Sequence, residues 1–178
     1  MDFEFSEQEK MYRDSLRDFL KKEYVPIVDK MDAKGPLNRA EAIDVLKKFH
    51  QLGIGLDQES ARGFVGSPML FAIFAEEVGK VWPSLLTLFG MGILPAIYVP
   101  VASDEVKSRL VPRLEAAEFV GCFAETEPEA GCDTSKLKTT ARPVGDHYVV
   151  NGSKTWISNA TIADTALVGV TNTDTGAQ

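Results

Sequence analysis

The stretch that decides the fold is residues 121–159, GCFAETEPEAGCDTSKLKTTARPVGDHYVVNGSKTWISN. A strand-like run from Phe119 to Ala124 leads into it and breaks at Glu125-Thr126-Glu127-Pro128-Glu129-Ala130-Gly131. Pro128 has no backbone donor and Gly131 tolerates positive φ, so this segment reads as loop rather than ladder. Residues 137–142, 147–150 and 153–158 read as three short β segments. Between the last two, Asn151-Gly152 carries the signature of a type I′ hairpin turn. A strand-turn-strand frame would then bring two polar clusters, Glu125-Thr126-Glu127 and Trp156-Ile157-Ser158, side by side on one sheet.

Upstream, the period is helical. Ser6 with Glu9 three residues on is a capping box, and Tyr12, Leu16, Phe19 and Leu20 form one apolar face. Val25-Pro26 ends that helix, a short second one is expected over residues 27–32, and Lys34-Gly35-Pro36 is a turn. Residues 40–51 repeat apolar side chains at Ile43, Leu46 and Phe49, with Gly53 as the stop. Ser67-Pro68 reads as N-cap and first residue of a helix through Val81. Ser84 is expected to cap the next helix, which is apolar almost all round and therefore buried. Ser103-Asp104-Glu105 places acid at the start of a last helix, which Pro112 is expected to limit. Strands begin at Phe119, so the boundary falls near residues 115–118. The expected fold class is α+β: a helical domain over residues 1–117, then a partial β domain over residues 118–178. Helices first and strands afterwards argue for segregated parts rather than βαβ units.

The 178 residues are ample for a core. A formal charge of −7 argues against a polyanion as partner. No apolar run approaches the roughly 20 residues of a membrane span. The opening MDFEFSEQEK has neither a basic nor an apolar leader region and is too acidic for a mitochondrial presequence. The expected location is therefore bacterial cytoplasm, or the mitochondrial matrix for a processed protein. Cys122 and Cys132 make neither a disulfide framework nor a zinc set. His50 and His147 lack ligand-spaced companions, and neither Gly53-Ile54-Gly55 nor Gly90-Met91-Gly92 extends to a dinucleotide fingerprint.

Thr126-Glu127-Pro128-Glu129-Ala130-Gly131-Cys132-Asp133, followed by the run from Gly145-Asp146-His147-Tyr148 to Lys154-Thr155-Trp156-Ile157-Ser158-Asn159, resembles two long motifs of the acyl-CoA dehydrogenases. These motifs belong to the middle domain of that flavoprotein family. The start of the chain and residues 109–114 also resemble it. The resemblance implies a helical domain, a β-barrel or sandwich domain and a C-terminal four-helix bundle. On that layout this chain stops midway through the β domain, and the bundle is absent from it. The sequence is then a fragment, or another chain completes the sheet that residues 165–171 enter.

The implied cofactor is FAD. By resemblance, Phe123, Glu125 (through its backbone) and Thr126 line the flavin, with the Thr126 hydroxyl at the pyrimidine edge. Trp156 packs on the ring with Ile157 beside it, and the Ser158 hydroxyl reaches toward N5. Cys132 stands where the family usually has serine, near the flavin pyrophosphate and the acyl-CoA pantetheine, and so belongs to both cofactor and substrate sites. A thiol is the poorer donor there. Glu125 replaces a common aliphatic residue, and its carboxylate is expected to point away from the ring; a catalytic role for it is the alternative.

Residues 55–68 depart from the family, and Ala75-Glu76-Glu77 stands where glutaryl-CoA dehydrogenases have an arginine, which argues against a dicarboxylyl substrate. The helices over residues 69–81 and 85–98 would floor the acyl site, with Phe71, Phe74, Phe89 and Met91 hinting at a short or cyclic acyl group. The implied activity is α,β-desaturation of an acyl-CoA, with electrons passed to an electron-transferring flavoprotein. The catalytic base is expected beyond Gln178, so no catalytic residue is assigned. The implied assembly is a homodimer or homotetramer. Two rivals stand beside this reading: an enoyl-CoA reductase running the reverse reaction, and a non-catalytic scaffold or half of a split protein.

Overall fold

The structure, a computed structural model, describes residues 4–57 and 67–177. Six α-helices precede five strands among these residues. The expectation about residues 55–68 falls largely on 58–66, outside the described residues.

Helix α1 (Glu7–Glu23) starts at the expected capping box, with the Ser6 Oγ accepting from Glu9 N and the Glu9 carboxylate accepting from Ser6 N. Helix α2 (Val28–Lys34) is short and buries nothing fully. Helix α3 (Arg39–Gln51) has a second capping box, Asn38 with Glu41. It ends as a Schellman motif, where Ile54 N donates to Phe49 O and Gly53 N to His50 O. Helix α4 (Pro68–Val81) is capped by Ser67. Helix α5 (Ser84–Tyr98) is capped by Pro83 rather than Ser84; the fixed φ of proline, here −56°, already suits a helix start. Helix α6 (Asp104–Glu115) is capped by Ser103 and runs through Pro112 to Glu115. Pro112 gives up its own donor and crowds the carbonyl four residues back, yet the helix continues past it, with Ala116 N donating to Pro112 O.

The core gathers on Phe49, whose ring meets Phe19 and Phe89 edge-on at 4.9 Å each and Phe74 at 6.0 Å. Leu16 and Leu20 of α1, Val78 of α4 and Leu85 of α5 surround it. Arg17 closes the α1–α4 contact with two hydrogen bonds to Glu77, at 3.0 and 2.7 Å. These bonds hold the buried Glu77 carboxyl at about 2. Contrary to the sequence expectation, α5 with the 3₁₀ turn after it (Val99–Val101) makes one 18-residue run, Ser84–Val101, long and apolar enough by composition to cross a membrane. Its Leu85, Leu88, Phe89 and Ala96 pack inside the core, and 39% of the run is buried.

Strand β1 (Gly121–Ala124) pairs in parallel with β4 (Thr165–Val168). It lies directly on α5: a Cβ on Gly121 would come within 2.9 Å of Pro95 Cγ, so only glycine admits this approach. A second sheet has the order β3-β2-β5, from β2 (Thr140–Val144), antiparallel β3 (His147–Asn151) and β5 (Thr171–Asn172), which joins β2 in parallel. The chain thus enters its β region as two small sheets, and the expected strand over residues 165–171 is split between them.

The hairpin differs from expectation. Its turn is Gly145-Asp146, between the paired Val144 and His147, and Asn151 still belongs to β3 opposite Thr140. Residues 153–158 are not a strand. Gly152 is needed for a different reason: a Cβ there would stand 2.3 Å from Thr139 Oγ1 and 2.6 Å from Thr139 Cα. The dipeptide signal is local, whereas the constraint comes from a crossing of two backbones. Gly152→Ala is therefore expected to cost about 1–3 kcal/mol, while Asn151→Ala, in no turn, is expected to be near neutral. Urea unfolding of the two variants decides between close approach and hairpin turn.

Candidate functional site

The Thr-Glu-Pro loop leaves β1 and doubles back at once, with Glu127 N donating to Ala130 O and Ala130 N to Glu127 O. That turn aims the Glu127 side chain inward, where it is 5% exposed. Its carboxylate accepts from Lys138 N at 2.7 Å, Thr139 N at 2.9 Å and Lys154 Nζ at 2.8 Å. The Lys154 ammonium is the largest influence that holds this carboxyl at about 2, and the Lys138 and Thr139 backbone donors act in the same sense. Lys154 also donates to Glu125 O at 2.8 Å, and Thr155 N donates to Thr126 O at 2.9 Å. One buried ion pair and one backbone bond therefore fasten the two sequence clusters to each other. The juxtaposition expected from a flat sheet is achieved by a loop laid against an irregular segment.

Trp156 is the conformational outlier. Its φ is +59°, a left-handed value costly for a bulky side chain, and its indole is 90% exposed. Asn159 is also left-handed, at φ +66°. Its Nδ2 donates to Leu88 O at 3.3 Å and Gly121 O at 3.1 Å, so it joins α5 to β1. Between these two residues, Ile157 and Ser158 are half-buried. The hydroxyls of Thr126 and Ser158 make no hydrogen bond among the described residues.

Phe123 is half-buried on β1, opposite Leu167. The Glu125 carboxylate lies against the backbone of Gly169, where even an added Cβ would meet its Oε2 at 2.6 Å. Cys132 is exposed in the loop before the 3₁₀ turn Thr134–Lys136, with no hydrogen bond among the described residues. The structure thus joins Glu125, Thr126 and Trp156 through Lys154 and Thr155, and leaves Cys132 outside that network.

Ser158 and Asn159 form one wall of a cleft of about 460 Å³. The opposite walls are Ser84, Thr87 and Leu88 of α5, and Asp32 with Gly35 and Leu37 at the end of α2 and the loop after it. Only the first half of α5 borders this cleft; Phe71 and Phe74 of α4 and Phe89 of α5 border a separate small recess beside Gly55 and Leu56, where Phe74 and Phe89 also pack on Phe49.

Sequence reasoning missed Lys154 and Asp164, and read Glu127 only as part of a polar cluster. The Asp164 carboxylate accepts from Arg39 Nε at 3.0 Å and Val120 N at 3.0 Å and lies 2.8 Å from Arg113 Nη2, which joins α3, α6 and the entry to β1. Burial would raise its pKa, but the Arg39, Arg113 and Val120 donors outweigh burial and lower it. A lysine inside a long motif was a usable signal for the Glu127 partner; no local signal marks Asp164.

Comparison with known proteins follows the same division. The model of the acyl-CoA dehydrogenase N-terminal domain matches residues 6–118, and that of the middle domain matches residues 122–178. A glutaryl-CoA dehydrogenase of Desulfococcus multivorans is 34% identical over 92% of this chain and 43% of its own length. A 3-(aryl)acrylate reductase of Clostridium sporogenes is 30% identical over 92% of this chain and 44% of its own. Among solved structures, a glutaryl-CoA dehydrogenase of Mycobacterium smegmatis in complex with FADH2 superposes with a TM-score of 0.76 at 26% identity, covering 95% of this chain and 44% of that one. The chain thus spans less than half the length of the relatives it matches.

Proposed function

The chain belongs to the acyl-CoA dehydrogenase family, with its N-terminal domain and part of its middle domain present, and on that premise we propose that the protein is an FAD-dependent oxidoreductase that desaturates an acyl-CoA between its α and β carbons. The observation that carries this is Trp156: a strained backbone holds its indole 90% exposed beside the fixed Thr126 backbone. Strain retained in order to project an aromatic face outward fits a planar partner.

In this reading Trp156 packs on the isoalloxazine, Thr126 offers its open hydroxyl to the pyrimidine edge, and Ser158 offers its hydroxyl near N5. Phe123 contributes a half-buried apolar surface beside them. When bound, the flavin supplies the two-electron oxidation, and the protein supplies orientation and exclusion of water. The cleft beyond Ser158 receives the acyl group. No residue of this chain is assigned to remove the α-proton.

The proposed electron acceptor is an electron-transferring flavoprotein, and the proposed assembly is a homodimer or homotetramer. An apolar groove of about 470 Å³ lies between Tyr148, Val150 and Val168. A second reading, reduction of an enoyl thioester, is favoured by the relative named as an acrylate reductase.

The purified full-length protein is expected to carry FAD, and acyl-CoA is expected to bleach the flavin band. Trp156→Ala and Ser158→Ala are expected to weaken FAD binding by about tenfold each, the scale of one lost stacking or hydrogen-bonding contact. Reoxidation by enoyl-CoA without oxidation of acyl-CoA would favour the reductase. Failure to bind added FAD would sink both enzymatic readings.

A further inference from the structure

The cleft has a readable axis. Asn159 Nδ2 is bonded to Leu88 O, so the Ser158 end lies over Leu88. Ser84 is four residues back on α5, about 6 Å along the helix axis, and Trp82 precedes it. Trp82 Nε1 donates to Asp32 Oδ1 at 3.3 Å, while Asp32 Oδ2 makes no hydrogen bond among the described residues. Among the described residues, Asp32 is the one charged residue lining the cleft. Of the cations flanking that wall in sequence, Lys34 is engaged by Glu41 and Arg39 by Asp164, while Lys30 makes no ion pair among the described residues and does not line the cleft. Ser84 and Thr87, one turn apart on the same helix, present hydroxyls with no hydrogen bond among the described residues.

An acyl group with its reacting carbons beside Ser158 would therefore run past Thr87 and end near Ser84 and Asp32. A carboxylate accepts hydrogen bonds and donates none. A terminal carboxylate arriving there would meet a like charge with no cation among the described residues that line the cleft, whereas a terminal hydroxyl or ammonium would find an acceptor. We infer that this cleft selects short acyl groups whose distal end carries a hydrogen-bond donor, received by Asp32, and disfavours acyl groups that end in a carboxylate. This rests on the reading of the protein as an acyl-CoA oxidoreductase and adds the substrate class. It sets the protein apart in specificity from the glutaryl-CoA dehydrogenases it resembles.

The test uses the full-length flavoprotein with 6-hydroxyhexanoyl-CoA, 6-aminohexanoyl-CoA, hexanoyl-CoA and glutaryl-CoA, measuring both equilibrium binding and kcat/KM. The donor-ended esters are expected to exceed hexanoyl-CoA and glutaryl-CoA by at least about tenfold, the scale of one hydrogen bond to a charged group. Asp32→Ala is expected to reduce that preference to within about twofold, and Asp32→Asn, which keeps an acceptor oxygen, to retain part of it. Flavin content and thermal midpoint of each variant report folding separately. Equal affinity for all four esters, preference for glutaryl-CoA, or a preference that survives Asp32→Ala would overturn the inference while leaving the oxidoreductase reading intact. A protein that binds neither FAD nor any CoA ester removes that reading, and the inference with it.

Discussion

Asp164→Ala is expected to lower the stability of the protein by about 2 kcal/mol, seen as a thermal midpoint lower by about 4–8 °C for a chain of this size. The substitution leaves the Arg39 and Arg113 guanidinium groups and Val120 N facing a site that was 13% exposed and filled by one carboxylate. Breaking a fully buried pair costs about 3–5 kcal/mol. The figure here is lower because Arg39 is 48% exposed and Arg113 33% exposed, so water recovers part of their solvation. Asp164→Asn keeps one acceptor oxygen and is expected to fall between alanine and the native residue. A midpoint unchanged in Asp164→Ala would show that the three-way junction of α3, α6 and β1 is held by apolar packing alone. The effect should also shrink little in high salt, because the carboxylate itself is shielded from solvent.

Lys154→Met is expected to weaken FAD binding by at least about tenfold, the equivalent of losing one charge-assisted hydrogen bond. Lys154 touches no residue assigned to the flavin except through Glu125 O; its effect is positional. Without the ammonium, Glu127 keeps its two backbone donors but loses its counter-ion while its side chain remains 4% exposed. The loop carrying Thr126 and the segment carrying Trp156 and Ser158 then remain joined chiefly by the Thr155–Thr126 backbone bond. Fluorescence titration with FAD reads the loss, and native affinity in a folded Lys154→Met protein would refute the positioning role.

The same pair sets an acid limit. Glu127 sits at about 2 in the fold against an ordinary value of 4.5. A carboxyl lowered on folding contributes stability that is full above the unfolded value and is lost as pH falls toward the folded one. Glu77, also at about 2 beside Arg17, acts in the same sense in the helical domain. Stability should therefore decline from about pH 4.5 downward. In Lys154→Met the part of that decline due to Glu127 should be smaller and end at higher pH, because the folded value rises with the loss of its largest stabilising partner while the unfolded value, which sets the onset, is unchanged.

The helical half of the fold was legible because its signals are local. Ser6 with Glu9, Ser67 with Pro68, and Gly53 after Gln51 each act through hydrogen bonds spanning a few residues, and each stands where the sequence reading put it. The failures have a local cause too. Ser84 looked like a cap because serine often is one, but Pro83 already holds the entry geometry. Asn151-Gly152 looked like a turn because the dipeptide favours one, yet β2 turns at Gly145-Asp146 and Gly152 answers to Thr139. Of the candidate site, Thr126, Trp156 and Ser158 could be named from the motifs. The left-handed backbone of Trp156 and the burial of Glu127 could not.

By itself, the sequence determined the order of elements, helices before strands, the helix starts, and the family through two motifs. These depend on the identities of residues close together along the chain, and periodicity and capping act within about four positions. Tertiary structure alone decided which polar groups meet. Lys154 finds Glu127 across 27 residues, Arg17 finds Glu77 across 60, and Arg39 finds Asp164 across 125. No local preference selects such partners. They are set when apolar burial brings the elements together, because a charge taken out of water must then find its counter-charge among whatever the packing has placed beside it.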